Sequence, residues 1–231
     1  MPEEHDLPVI DRDGAIGEAL ADIPEMTRGR ALRTALTAFG GATLVGGIAA
    51  NSASAQTFKP SKANDLKILQ LALVFEHLGA EYYDTALEDG KLSTGARRYA
   101  TLARRDERSH VRVVQDTIRQ LGGKPRAKPT FDFGRVPLRT SSFLRTALAI
   151  EETCVETLNG AGPLVQTRAV LAGAGQLVSV EARQVTYIRI LQGKQPIETG
   201  RIVDPGITAR TAVNRAKKLG FVKSTLPPLP R

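Results

Sequence analysis

The chain has 231 residues, 42% hydrophobic and 24% charged, an ordinary composition for a soluble globular protein of one domain with appendages. A single cysteine, Cys154, excludes an internal disulfide and any cysteine-rich zinc or iron–sulfur site, and the scarcity of aromatics (no Trp, four Tyr, seven Phe) favours closely packed helices over a β-sandwich. The net charge is +8, but residues 1–55 carry eight acids to four basic residues, so the remainder is near +12, a charge suited to nucleic acid, lipid headgroups or wall polymers if it is more than a solvated face.

Residues 1–55 read as an export signal. A basic stretch, Thr27-Arg28-Gly29-Arg30-Ala31-Leu32-Arg33, precedes a mild apolar run from Ala35 to Ala50. That run is Gly- and Ala-rich and shorter than the ~20 residues of a spanning helix. Ala53-Ser54-Ala55 then puts small residues where a signal peptidase accepts them, with cleavage expected between Ala55 and Gln56. The weak hydrophobicity resembles a twin-arginine (Tat) signal, from which the spaced Arg28-Gly29-Arg30 departs; Sec export is the alternative. An exported protein of the periplasm, cell wall or extracellular space follows, or one anchored by an uncleaved signal. The acids of residues 1–25 are foreign to a signal, and Met26 would begin a more ordinary one, so Met26 is a candidate start.

Residues 56–193 carry four helical patterns. The first runs from about Asn64 to Glu88, with Leu66, Leu69, Leu73, Glu76, Ala80, Tyr83 and Leu87 on one stripe at alternating steps of three and four. Ser61 or Asn64 can cap its start and Gly90 stops it. The second runs from about Thr94 to Leu121, with Tyr99, Ala103, Glu107, His110, Val114, Thr117 and Leu121 on its stripe and Gly122-Gly123 at its end. The third spans about Ser141–Asn159, capped by Ser141 or Ser142, with Leu144, Ala147, Glu151, Cys154 and Leu158 facing inward. The fourth spans about Gln166–Gln192, with Val170, Ala174, Leu177, Glu181, Gln184, Ile188 and Leu191.

The first and second helices, and the third and fourth, are joined by short turns and should form antiparallel hairpins. About 18 residues separate the hairpins, enough when extended to run ~60 Å, longer than helices of ~40 Å. Two hairpins and one long crossover make an all-α antiparallel four-helix bundle of ferritin-like topology. Residues 194–231 form a C-terminal extension with a short helix near Thr208–Leu219, packed across the bundle or trailing from it, and without evident chemistry.

Glu76, Glu107, His110, Glu151, Glu181 and Gln184 all fall on apolar stripes. A core carboxylate costs several kcal/mol unless paired, protonated or coordinated. Each glutamate is near the middle of its helix, so four carboxylates converge at one level. Two divalent ions would compensate them, and an oxygen-rich set with imidazole suits iron or manganese. Glu107-Arg108-Ser109-His110 is Glu-x-x-His, whose i, i+3 spacing puts both side chains on one face. Helix four has the same spacing in Glu181-Ala182-Arg183-Gln184, with Gln in place of His. Ala72-Leu73-Val74-Phe75-Glu76 and Ala147-Leu148-Ala149-Ile150-Glu151 make a faint repeat between the hairpins.

Over about residues 62–192, and in its Tat-like leader, the chain resembles bacterial exported ferritin-like domain proteins, the group that includes the desiccation-related proteins of plants. Leu73-Val74-Phe75-Glu76-His77-Leu78-Gly79-Ala80-Glu81-Tyr82-Tyr83 looks like that family's first helix, and Ser179-Val180-Glu181-Ala182-Arg183-Gln184 like its fourth, where histidine is usual at the position of Gln184. The resemblance implies Glu76, Glu107, His110, Glu151 and Glu181 as metal ligands and leaves Gln184 as a weak ligand, a position taken by water, or a sign of a decaying site. It gives a fold and a site, not a reaction. Cys154 is a soft ligand or a small buried hydrophobe; Tyr83 and Tyr187 either bond a ligand or pack the core; His77, turned ~100° from Glu76, lies at the stripe's boundary.

Two functions follow. One is a metal protein with a site for two ions, or for one if Gln184 does not ligate, acting as a di-metal oxidase or in iron handling. The other is a non-catalytic stress or envelope protein with a degenerate site, whose basic surface holds an anionic polymer. The expected partners are metal ions, an anionic envelope polymer or membrane surface, and a second copy in a homodimer; export argues against nucleic acid.

Overall fold

A computed structural model describes residues 60–197 and 203–230. The leader, Met26 and the cleavage position Ala55/Gln56 lie outside the described residues. Five α-helices are present among them: α1 Lys62–Asp89, α2 Thr94–Gln120, α3 Thr140–Ala161, α4 Arg168–Leu191 and α5 Ala209–Leu219. The only β-type pairing there is two isolated bridges, Lys91 with Arg139 and Phe131 with Val222. None of these helices is long and apolar enough to cross a membrane.

The helix ends follow local chemistry. The Ser61 hydroxyl accepts from the Asn64 amide at 3.2 Å and starts α1. The Ser93 hydroxyl accepts from Ala96 and starts α2. After α2 the chain turns through Gly122 at φ 81, and Gly123 N–H closes on Ile118 O at 2.8 Å. At α3 the expected serine cap is absent. The helix begins at Thr140 with Arg139 at the cap position, so Ser141 and Ser142 lie inside its first turn, where the Ser142 hydroxyl donates back to the carbonyls of Val136 and Arg139.

α1 packs on α2 and α3 on α4 as the two hairpins, with α1 also against α3 and α2 against α4. The connection between the hairpins runs along α1. At its start the Gln70 amide donates to Lys124 O at 2.8 Å, midway Lys128 pairs with Glu81, and at its end Lys91 N–H donates to Leu138 O at 2.9 Å. The crossover therefore carries the chain from the N-terminal to the C-terminal end of α1, so α3 starts beside that end and runs antiparallel to α1. Asp65 explains another buried acid: its carboxylate accepts from the amides of Gln166 and Thr167, both at 2.9 Å, tying the α3–α4 turn to α1.

The C-terminal extension packs onto the bundle. Ile207 N–H donates to Glu156 O at 2.9 Å, and Arg215 pairs with Glu156 at 2.7 Å. Gly160 and Gly206 let the backbones touch, since a Cβ on Gly206 would lie 2.8 Å from Gly160 Cα. Ala212, Val213, Ala216 and Phe221 join one apolar cluster with Tyr82, Phe133 and Phe143. Crossover and tail thus cover the outer side of α1, which is why Leu71, Phe75, Leu78 and Tyr82 are as buried as its inner stripe. On α2 the inward residue of the last turn is Ile118, fully buried, and the expected Thr117 is half-buried, its hydroxyl donating to Val113 O.

Candidate metal centre

The six polar residues on the apolar stripes are all buried, Glu151 and Glu181 at 0% exposure and Glu107 at 1%. Four converge. One ligand atom each from Glu76, Glu107, His110 and Glu181 lies within 4.8 Å of the others. His110 Nδ1 is the hub, 3.0 Å from Glu181 Oε1, 3.3 Å from Glu76 Oε2 and 3.7 Å from Glu107 Oε1. Glu107 and His110 come from one turn of α2 through their i, i+3 spacing; Glu76 comes from the middle of α1 and Glu181 from α4. Gly79, one turn beyond Glu76, leaves room for the Glu107 side chain: a Cβ there would meet Glu107 Oε2 at 3.0 Å.

Glu151 and Gln184 do not join that group; a hydrogen-bonded chain holds them at its side. The Tyr83 hydroxyl bonds Glu151 Oε1 and lies 2.8 Å from the Tyr99 hydroxyl. Tyr99 donates to Gln184 Oε1 at 3.1 Å, and Gln184 Nε2 donates to Glu107 Oε1 at 3.0 Å. Tyr83 is the donor to Glu151 and Tyr99 the donor to Gln184. Burial first, then the charges of Glu107 and Glu181, raise the Glu151 pKa well above the usual range.

The other acids respond to the same environment. Burial is the largest cause raising Glu76 and Glu181, each to about 8, against the lowering effect of their hydrogen bonds to His110. Burial pulls His110 down, but hydrogen bonds to Glu107, Glu181 and Glu76 outweigh it and raise the imidazole overall. Protons therefore balance the crowded carboxylates when nothing else does.

The donor set fits a cation. Glu76 Oε2, Glu151 Oε2 and both oxygens of Glu181 are buried, and the donor that Glu76 Oε2 and Glu181 Oε1 face is the shared His110 Nδ1. One imidazole N–H cannot satisfy so many buried acceptors, whose desolvation a cation would compensate. Ligands about 2.1 Å from one ion are at most about 4.2 Å apart, so Glu76, Glu107, His110 and Glu181 need close by only about half an ångström around it. Three carboxylates and one imidazole suit a divalent ion that accepts both oxygen and nitrogen.

The remaining candidates fall outside the group. Cys154 is buried on α3, its thiol pushed up first by burial and then by the carboxylates, and behaves as a small hydrophobe. His77 is buried with Nε2 unpartnered; burial and then Lys128 lower its pKa. Tyr187 stacks edge-on against Tyr99, ring centroids 5.5 Å apart, and lines a cleft between α2 and α4. That cleft, about 430 Å³, reaches the centre at His110, Gln184 and Tyr99, with Arg105, Asp106 and Arg183 also on its walls. The part of Tyr99 in linking Tyr83 to Gln184 was missed by the sequence reading; its place on the stripe a full two turns before Glu107 was the available signal.

No curated protein matches the chain. Residues 64–194 match a family described as a ferritin-like domain.

Proposed function

The chain belongs to the ferritin-like domain family, and we propose that it is a metal-binding protein holding iron or manganese in its bundle core, exported by its leader. The convergence of Glu76, Glu107, His110 and Glu181, with more buried carboxylate oxygens than donors to satisfy them, is the observation that supports this most. Glu76 and Glu181 would hold the ion from opposite hairpins, Glu107 would bind it from α2, and His110 would supply the nitrogen. Bound iron would bring one-electron chemistry toward dioxygen or peroxide, and manganese a redox-active or structural ion. The chain's own residues would set the conditions: a buried carboxylate box and a cleft at His110 through which small molecules arrive.

Protein purified after growth in iron or in manganese, and analysed for metal, tests the reading. Bound metal near one per chain under either condition supports it; amounts far below that under both reject it. Export rests on the leader, with its small residues before Gln56 and its likeness to Tat signals of the desiccation-related group. Mass analysis of the mature N-terminus tests it, with Gln56 as the expected first residue.

A second reading rests on charge. Residues after 55 are near +12, so the same bundle could hold an anionic envelope polymer or membrane surface. Salt-dependent retention of the protein on such a polymer, unchanged by loss of Glu76, would favour this reading over the metal one.

A further inference from the structure

A bundle that presents a glutamate from each of four helices invites two ions, one beside each hairpin. The two halves of this core are not equivalent. On one side Glu76, Glu107 and His110 meet Glu181, each with a ligand atom turned to the common centre. On the other side a second ion would need Glu151 and residue 184, with Glu107 and Glu181 shared, and there Gln184 and one oxygen each of Glu151 and Glu107 are engaged.

Gln184 is the reason. A side-chain amide has one atom able to bind a cation, its oxygen; its nitrogen is a donor without a free lone pair. Here the oxygen accepts from Tyr99 at 3.1 Å and the nitrogen is aimed at Glu107 at 3.0 Å. Tyr99 continues to Tyr83 at 2.8 Å, and Tyr83 takes up one oxygen of Glu151. All these side chains are buried. The chain Glu151–Tyr83–Tyr99–Gln184–Glu107 spans the positions that a second ion would draw together, and holds them with hydrogen bonds instead.

We infer that the core takes one divalent ion, held by Glu76, Glu107, His110 and Glu181, and that Gln184 closes the second position by tying Tyr99 to Glu107. The inference rests on the metal-binding reading above and fixes its stoichiometry. It also gives the ion an asymmetric surrounding: ligating carboxylates on one side, a neutral amide and two phenols on the other. The α2–α4 cleft opens on the amide side, since Tyr99, Gln184 and Tyr187 line it together with His110.

The test uses Mn²⁺ alone as the probe. The full chain is dialysed against excess Mn²⁺, freed of loose metal, and examined by elemental analysis and electron paramagnetic resonance. One manganese per chain with the hyperfine-split spectrum of an isolated ion is expected. Two per chain, or the spectrum of an exchange-coupled pair, overturns the inference and leaves the metal-binding reading standing. No retained manganese or iron overturns that reading itself. Gln184→His and Gln184→Glu replace the amide by groups with a free lone pair, and at least one of them should raise the stoichiometry toward two. If both variants fold, as circular dichroism would show, and both stay at one, Gln184 is not what closes the second position.

Discussion

Gly79 of α1 and Glu107 of α2 compete for one space: a Cβ on Gly79 would lie 3.0 Å from Glu107 Oε2 and 3.2 Å from its Cγ. A glycine inside a helix costs roughly 0.5–1 kcal/mol relative to alanine. Its presence one turn beyond Glu76 is explained by the carboxylate it makes room for. Gly79→Ala should therefore separate stability from binding. The metal-free melting temperature should stay level or rise slightly, because helix propensity offsets a displacement of a few tenths of an ångström. Metal affinity should fall by about tenfold, the scale seen when support around a metal ligand is lost. Unchanged affinity in a folded Gly79→Ala protein would show that the position of Glu107 does not matter to the ion.

Metal binding and pH are linked through the buried acids. Glu76 and Glu181 move from 4.5 to about 8, and both shifts are upward. Between those values the folded protein binds protons that the unfolded chain has released, so metal-free stability falls as pH rises from about 4.5 to about 8. An ion must displace the same protons, so its affinity rises over that window. The melting-temperature gain on adding Mn²⁺ should grow steadily from about pH 5.5 to about pH 8.5, with proton release measurable in weakly buffered solution. A gain independent of pH would mean that these two carboxylates do not bind the ion.

Much of this was legible in the sequence, because the bundle's inner face obeys one rule. Leu73, Glu76, Ala80 and Tyr83 fall on a three–four stripe, and the four mid-helix glutamates stand out on their stripes because each breaks the pattern in the same place. What escaped has physical reasons. Leu71, Phe75, Leu78 and Tyr82 are buried by the crossover and the tail, and a single-stripe reading of α1 has no means of knowing that distant segments return to cover its back. Ser142 could cap a helix by type, but the helix starts before it, at Thr140 with Arg139 as its cap, and Ser142 falls in the first turn. The asymmetry of the centre was half visible: Gln184 is plain in the sequence, but its engagement depends on Tyr99 and Glu107, which only the packing of α2 on α4 brings within reach.

The chain from Glu151 to Gln184 has its own signature. Burial raises Glu151 well above the usual carboxylate range, so it should add to the protonated carboxyls of the metal-free protein near neutral pH. Infrared difference spectra should show a carboxylic acid carbonyl band there that is weaker in Glu151→Gln. Tyr99→Phe removes the link to Gln184 and leaves buried Oε1 without its donor. That should cost roughly 1–3 kcal/mol of stability in denaturant titration. A band unchanged in Glu151→Gln would show that Glu151 is ionised in the metal-free protein.

The α2–α4 cleft makes a prediction about rate. Its walls carry Arg105 and Arg183 as well as Asp106, and Arg105 is paired with Asp106 at 2.8 Å. Arg183 is exposed and makes no ion pair among the described residues, so it is the cation left facing a Mn²⁺ or Fe²⁺ that approaches His110 by this route. Like charge at the mouth of a low-dielectric cleft slows arrival without altering what is held inside. Arg183→Glu should therefore speed Mn²⁺ loading, on the order of threefold at low ionic strength, while final stoichiometry and metal-loaded melting temperature stay unchanged. At about 0.5 M salt the Debye length is a few ångströms, and the difference should disappear. Stopped-flow loading at the two ionic strengths would decide it. Equal rates for the two proteins at low salt would mean that the ion reaches Glu76 and Glu181 by another path, and that the cleft serves only molecules without charge.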